Sequence, residues 1–137
     1  MMSAPDDELR LLLLRVARRI RNNRSGNVSD SQLSVLFQLD EHGERTPGEL
    51  AERDHLTPPS MNRTLNRLED AGLIARTRST DDGRRVNVSL TSAGRSLITE
   101  TRRLRTAWFS RQLAELTPEE RAALEAAMPA LRRISES

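Results

Sequence analysis

The sequence predicts a mainly α fold with a small two-stranded β-sheet, an α+β arrangement in which the sheet is a single hairpin. Three observations predict it. Helix starts are legible at Ser29-Asp30-Ser31-Gln32, Thr46-Pro47-Gly48-Glu49 and Thr117-Pro118-Glu119-Glu120, where a hydroxyl caps the third helical N–H and the Gln or Glu reaches back. Apolar residues recur at helical spacing through most of the chain. Alternating strand pattern is confined to two short runs on either side of Asp82-Gly83, a dipeptide that favours a type I′ turn.

Six helices follow in order. The first covers roughly 6–23, with Leu9, Leu12, Leu13, Val16, Ala17 and Ile20 on one stripe. Leu11 and Leu14 add a second apolar face, so this helix needs two covering surfaces, and a partner subunit is a natural second one. After a loop at 22–27, the second helix spans about 30–41 and uses Leu33, Leu36 and Phe37. The third, about 47–54, is short. The fourth, about 58–71, starts at Thr57-Pro58, turns Met61, Leu65 and Leu68 inward and ends at Gly72 as its C′ residue. Strands at 73–79 and 85–90 flank the turn, with Val86, Val88 and Leu90 on one face. Thr91 caps a long fifth helix, about 92–115, striped by Leu97, Thr101, Leu104, Trp108 and Gln112. The sixth, about 118–134, carries Leu124, Ala127, Met128 and Leu131, and Pro129 inside it predicts a kink or an early break.

Composition narrows the function. The length, 137 residues, suits one domain-sized unit. Every one of the 22 basic residues is arginine, so the high pI overstates a net charge of only +2. The surplus is local: residues 1–56 hold 8 Arg against 10 acids, residues 57–95 hold 7 against 4, and residues 96–137 hold 7 against 6. The positive excess falls on the fourth helix and the hairpin, where a phosphate-facing surface belongs. Cysteine is absent, which excludes disulfides and thiol redox sensing, and two histidines make no metal site. The longest apolar run, Leu11 to Leu14, is too short to cross a membrane, and residues 1–8 carry three acids rather than the basic start of a signal peptide. A cytoplasmic location, no membrane partner, no metal and no cofactor are therefore expected. So is no enzymatic activity: there is no cysteine nucleophile, Gly-rich phosphate loop, H-E-x-x-H motif or nucleophile elbow, and Asp81-Asp82 and Glu119-Glu120 are adjacent rather than converging pairs.

The third and fourth helices are joined by His55-Leu56, short enough to set them at a steep angle. In a helix-turn-helix the second helix enters the major groove of double-stranded DNA, its N-terminal residues first. The outer face of the fourth helix offers Pro59, Ser60, Asn62, Arg63, Asn66 and Arg67, behind Thr57, and no acid lies between Thr57 and Leu68. Asn and Ser donate and accept, and arginine forks to guanine O6 and N7. Thr46 opens the third helix beside them. The hairpin that follows is a basic wing. Arg76 and Arg78 share one strand face and can both point to phosphates, Arg84 follows the turn where it can enter a narrow minor groove, and Arg85 is adjacent. Asp82 either orients a nearby arginine or forms a surface ion pair. The pattern is a winged helix-turn-helix.

These motifs resemble the MarR family of transcriptional regulators. The shared residues are Gly48-Glu49-Leu50-Ala51-Glu52-Arg53, then Leu56-Thr57-Pro58-Pro59-Ser60-Met61-Asn62-Arg63, then Leu68-Glu69 with Gly72-Leu73-Ile74 and Arg76, and finally Asp82-Gly83-Arg84 with Val88-Ser89-Leu90-Thr91-Ser92-Ala93-Gly94. The resemblance implies base contacts from Pro59, Ser60, Asn62 and Arg63, and a wing pair of Asp82 and Arg84. Pro58-Pro59 departs from the commoner Pro-Ser or Ser-Pro pairing, leaving position 59 only apolar contact. The resemblance also implies a homodimer whose N- and C-terminal dimerisation helices, 1–28 and 92–137, intertwine around a DNA-binding lobe at 29–91 as one domain. Leu9, Leu12, Leu13, Val16, Trp108, Leu113, Leu116, Leu124, Met128 and Leu131 serve either that interface or the chain's own core.

The function expected is a repressor released from a near-palindromic operator by a small aromatic or anionic effector. The implied effector pocket lies between the dimer helices and the lobe, with Arg10, Arg15 and Arg18 beside Phe37, Met61 and Trp108. The arginine run of the first helix also fits a plain solvated face. Two other functions stay open: an architectural DNA-binding protein without an effector, and a protein-interaction module that keeps the shape alone.

Overall fold

The computed structural model describes residues 3–79, 81 and 83–137. The chain runs α1 (Ala4–Asn22), α2 (Asp30–His42), α3 (Pro47–Arg53), α4 (Pro58–Asp70), β1 (Ile74–Arg78), β2 (Val86–Leu90), α5 (Ser92–Ala114), α6 (Pro118–Ala126) and α7 (Met128–Ser135). The helices begin where their hydroxyls stand. Ser29, Thr46 and Thr117 each make a full capping box with Gln32, Glu49 and Glu120, while Thr57 and Thr91 cap through the hydroxyl alone. A further box, Ser3 with Asp6, opens α1 at Ala4, two residues before the expected start, and the S/T-x-x-E/Q pattern misses it because its third helical residue is Asp.

Among the described residues, thirteen apolar side chains form the core: Leu33, Val35, Leu36 and Leu39 of α2, Leu50 and Ala51 of α3, Met61, Leu65 and Leu68 of α4, Leu73, Ile74 and Val88 at the sheet, and Ile98 of α5. The core thus lies between α2, α3, α4 and the sheet, with Ile98 of α5 packed into it. The stripe of α5 is joined by Ile98, which is buried while Leu97 packs half-buried on the core, and the buried Thr101 accepts from the Ser25 N–H at 3.1 Å.

One expectation is met and two change. The sixth helix is two, because Pro129 lacks the N–H that would continue the ladder, and the chain breaks at Ala127 into α6 and α7. The antiparallel ladder pairs Arg78 with Val86, and the Ser79 N–H extends it to the Arg85 carbonyl at 2.8 Å. A two-residue turn on Asp82-Gly83 would pair Arg78 with Asn87 instead, so the strands are joined by a longer loop. The sheet also gains an edge that no alternation announces. Arg45, in the α2–α3 loop, exchanges both backbone bonds with Val88, at 3.1 and 2.7 Å, and so ties the start of the helix-turn-helix to the wing.

Outside the lobe the picture inverts. Helices α1, α6 and α7 bury no residue in the single chain. Leu9, Leu11, Leu12, Leu13, Leu14 and Val16 are between 42% and 58% exposed, and Leu124, Met128, Leu131 and Ile134 are exposed as well. Helix α1 is held to α5 near its C-terminus by Arg105, whose Nε and Nη2 donate to the Asn23 and Arg21 carbonyls at 3.1 and 3.2 Å. That guanidinium satisfies carbonyls that a helix end leaves open.

Candidate nucleic-acid interface

Helix α4 is built to be held from behind and read from the front. Met61, Leu65 and Leu68 are fully buried, while Pro59, Asn62, Arg63, Asn66 and Arg67 are exposed along the opposite side and Ser60 is half-buried. The α3–α4 turn that sets its angle passes through His55, which takes φ +54°, and Leu56 closes it by donating to the Ala51 carbonyl at 2.9 Å. Asp54 stiffens the turn by accepting from Ser34 Oγ at 3.0 Å and from the buried Gln38 amide at 2.7 Å. The recognition surface is therefore mounted on a polar clamp between α2 and α3 as well as on the apolar core.

The individual residues divide by what already occupies them. Thr46 and Thr57 cap their helices: Thr46 Oγ1 accepts from the Glu49 N–H at 3.2 Å and donates to its carboxylate at 2.9 Å, and Thr57 Oγ1 accepts from the Ser60 N–H at 3.2 Å. Thr46 is thus a structural cap rather than a free donor. Arg63 Nη2 donates to Ser60 Oγ at 3.1 Å, so the two polar groups nearest the helix start form one unit. Arg76 does not extend from the strand beside Arg78. Its guanidinium folds onto α4 and donates to Asn66 Oδ1 at 2.6 Å. Arg78 instead donates to the Gly83 carbonyl at 2.8 Å and braces the loop. Arg85 lies 3.6 Å from the Glu49 carboxylate and donates to Asn87 at 3.3 Å, which turns it toward the start of α3. Arg84 is exposed at the loop. Asp82 lies outside the described residues.

Glu49 joins the two halves of this surface electrostatically. The Thr46 backbone N–H and then the Thr46 hydroxyl hold its carboxyl below the usual carboxylate range, burial opposes them, and Arg45 and Arg85 each add a smaller lowering effect. Arg45 is the residue sequence reasoning missed here, since one bridging residue has no periodicity to detect.

The effector pocket expected between the dimer helices and the lobe does not assemble from the residues named for it. Met61 is fully buried in the core and cannot line an open site. Arg10 pairs with Asp7 at 2.8 Å, and Arg15 and Arg18 are exposed. Other arginines cover the aromatics. Arg19 stacks over Trp108 at 5.2 Å, and Arg102 and Arg105 lie over Phe37 at 5.2 and 5.3 Å. Helical spacing could have named Arg19, since it is on the α1 face that meets α5, but the aromatic partner is remote in sequence. Of the ten residues named for a dimer interface or core, Leu9, Leu12, Leu13, Val16, Leu124, Met128 and Leu131 are exposed, and Trp108, Leu113 and Leu116 are half-buried. None of the ten belongs to the buried core of the single chain.

Among the described residues there is no group of acids and histidines that could hold a metal ion, and no helix is long and apolar enough to cross a membrane.

Comparison with known proteins places this geometry. The model of the MarR family matches residues 28–86, the lobe that carries α2 to the start of β2. An HTH-type transcriptional regulator of Mycobacterium tuberculosis is 41% identical over 88% of this chain and 85% of its own length. An HTH-type transcriptional repressor of the same organism is 36% identical over 86% of this chain and 89% of its own. The crystal structure of a putative transcriptional regulator from Pseudomonas aeruginosa superposes with a TM-score of 0.84 at 35% identity, covering 96% of this chain and 94% of that one.

Proposed function

The chain belongs to the MarR family of winged helix-turn-helix transcriptional regulators, and from that premise we propose that it is a homodimeric repressor of a near-palindromic operator, released by a small aromatic or anionic effector. The observation that carries the dimer is the uncovered apolar surface of α1, α6 and α7. A 19-residue helix with none of its residues buried has no reason to be leucine-rich unless another surface covers it. A two-fold copy would cover it, since an isologous interface places the same patch on both subunits. Two copies of α4 would then face successive major grooves, about 34–36 Å apart, and read an inverted repeat.

The acid-free outer face of α4 supports the DNA contact, with exposed Arg84 as the minor-groove element and Arg63 and Asn62 as base readers. Repression is the reading favoured by the repressor-named relative. An effector is favoured by the arginine–aromatic stacks at Trp108 and Phe37, which lie where α1 and α5 meet the lobe: a guanidinium over an aromatic face suits an aromatic carboxylate. Such a ligand must prefer the dimer spacing that fails on DNA, because equal affinity for both states shifts nothing.

One experiment tests the assembly and the activity together. Light scattering on micromolar protein should give about twice the 15.5 kDa chain mass, and selection from genomic fragments should recover an inverted repeat. A monomer at that concentration sinks the dimer. Equal binding to selected and random fragments supports the effector-free architectural protein instead. Titration with substituted benzoates should change Trp108 fluorescence and release the operator. Failure of both signals at millimolar ligand removes the aromatic acid as effector.

A further inference from the structure

The contact between Arg76 and Asn66 joins the wing strand to the middle of the recognition helix. Arginine has five N–H donors and no acceptor. The atom of Asn66 that faces it at 2.6 Å is therefore the amide oxygen, without ambiguity between the two ends of the amide. Asn66 is exposed while Arg76 is half-buried, and Arg76 Nε is fully buried with no acceptor among the described residues. Arg76 Nε is enclosed, and its Nη2 reaches one residue of the exposed face of α4.

Holding the oxygen decides what Asn66 can say to DNA. A free asparagine reads adenine with both ends, accepting from N6 and donating to N7. With Oδ1 turned to Arg76, the end left for the groove is Nδ2, which only donates, and among the described residues no group accepts from it. The base edges that suit it best are guanine, with N7 and O6 both accepting, and thymine O4, whereas adenine offers the single acceptor N7 beside its N6 donor. The choice of amide is also electrostatically apt. A carboxylate at 66 would pair more strongly with Arg76 but would bring negative charge to a face that has none between Thr57 and Leu68.

We propose that Arg76 is a positioning residue that locks Asn66 as a donor-only reader, so that each operator half-site favours guanine or thymine over adenine at the base beneath Asn66. The inference rests on the DNA-binding reading above and adds the chemistry of one operator position.

The test is selection of a randomised operator library by the full-length protein and by three variants, each with a thermal melt. The wild type should disfavour adenine at one symmetric position per half-site, by about tenfold. Asn66→Ala should abolish the preference at that position alone. Asn66→Asp, of the same shape but without donors, should lose the preference for guanine and thymine. Arg76→Met, which keeps the apolar stem but frees the amide to rotate, should admit adenine there while the other positions keep their preferences. If Arg76→Met lowers affinity equally on every sequence and flattens the salt dependence, Arg76 is a phosphate contact and the proposal fails. It fails also if Asn66→Ala leaves the profile unchanged. A wild type that selects no sequence at all overturns the regulator reading itself, which separates the two failures. Should Arg76→Met melt early, Arg76→Gln, which can still donate to Oδ1, should restore the bias against adenine, and its failure to do so counts against the proposal.

Discussion

Gly94 stands with its Cα against the carbonyl of Leu73, so close that a Cβ on residue 94 would overlap that oxygen. Thr91 fastens the same junction. Its hydroxyl donates to the Gly72 carbonyl at 2.6 Å and accepts from the Gly94 N–H at 3.1 Å, and its backbone N–H donates to the Leu73 carbonyl at 3.2 Å. The Leu-Thr-x-x-Gly run is thus the joint between the start of β1 and the start of α5.

Gly94→Ala should destabilise the fold by about 1–3 kcal/mol, because backbone rather than a flexible side chain must move to admit the methyl. Gly48→Ala is the control. Its added Cβ would meet only Thr46 Oγ1, at 3.9 Å, and alanine is the better helix former by about 0.5–1 kcal/mol. Urea midpoints should therefore move in opposite directions. Equal midpoints for the two variants would refute the packing argument.

His55 is the only non-glycine described with a positive φ, and its side chain is exposed. The left-handed region costs an L-residue about 1–2 kcal/mol, while glycine adds entropy to the unfolded chain. His55→Gly should be neutral or stabilising by up to about 1 kcal/mol, and His55→Val, β-branched, should destabilise by more than about 1 kcal/mol. A denaturation series of the two variants checks this. If valine is tolerated as well as glycine, the turn does not hold the conformation described.

Glu49 gives the lobe an acid-sensitive element. Its carboxyl is depressed in the folded chain, first by the Thr46 backbone N–H, so the folded state prefers the ionised form more than the unfolded state does. That stability is present in full above the ordinary carboxylate value of 4.5 and is lost as pH falls through the depressed folded value. The group is largely solvated, which keeps the effect under about 1 kcal/mol. Glu49→Gln keeps the capping geometry and should flatten the acid limb of stability against pH below about 4.5, with little change at pH 7. An acid limb of the same steepness in the variant would show that other carboxylates carry it.

Much of this fold was legible because its signals are local. Capping boxes, the Gly72 C′ residue with its φ of +76°, and the alternation of Val86, Val88 and Leu90 each need only a few neighbouring residues to be read. What escaped depends on contacts between distant segments. The Arg45–Val88 bridge and the Arg19–Trp108 stack join residues more than forty positions apart, and no spacing rule reaches them. The candidate site behaves the same way. The exposed face of α4 follows from helical periodicity, but strand alternation points Arg76 to a phosphate, whereas its position against Asn66 depends on how closely the hairpin packs on the helix. Met61, by contrast, faces the core with Leu65 and Leu68 as helical spacing predicts, which is what separates it from the implied pocket.

Arg84 and Arg85 are neighbours that should behave differently on DNA. Both are exposed, but Arg84 lies at the loop, whereas Arg85 lies 3.6 Å from Glu49 in the first turn of α3. Each duplex phosphate left unneutralised reduces the slope of log affinity against log salt by about 0.9, so Arg84→Ala in a dimer should reduce it by about 1.8 without altering the dimer. A reader of minor-groove shape suffers more on narrow A·T-rich flanks than on G·C-rich ones, so the effect should depend on flank composition. Arg85→Ala should change the slope less and should weaken the anchoring of the wing to α3. Binding measured between about 50 and 200 mM salt on both flank types distinguishes them. If Arg84→Ala leaves affinity and slope unchanged on either flank, the wing tip does not touch DNA, and the contact surface ends at α4.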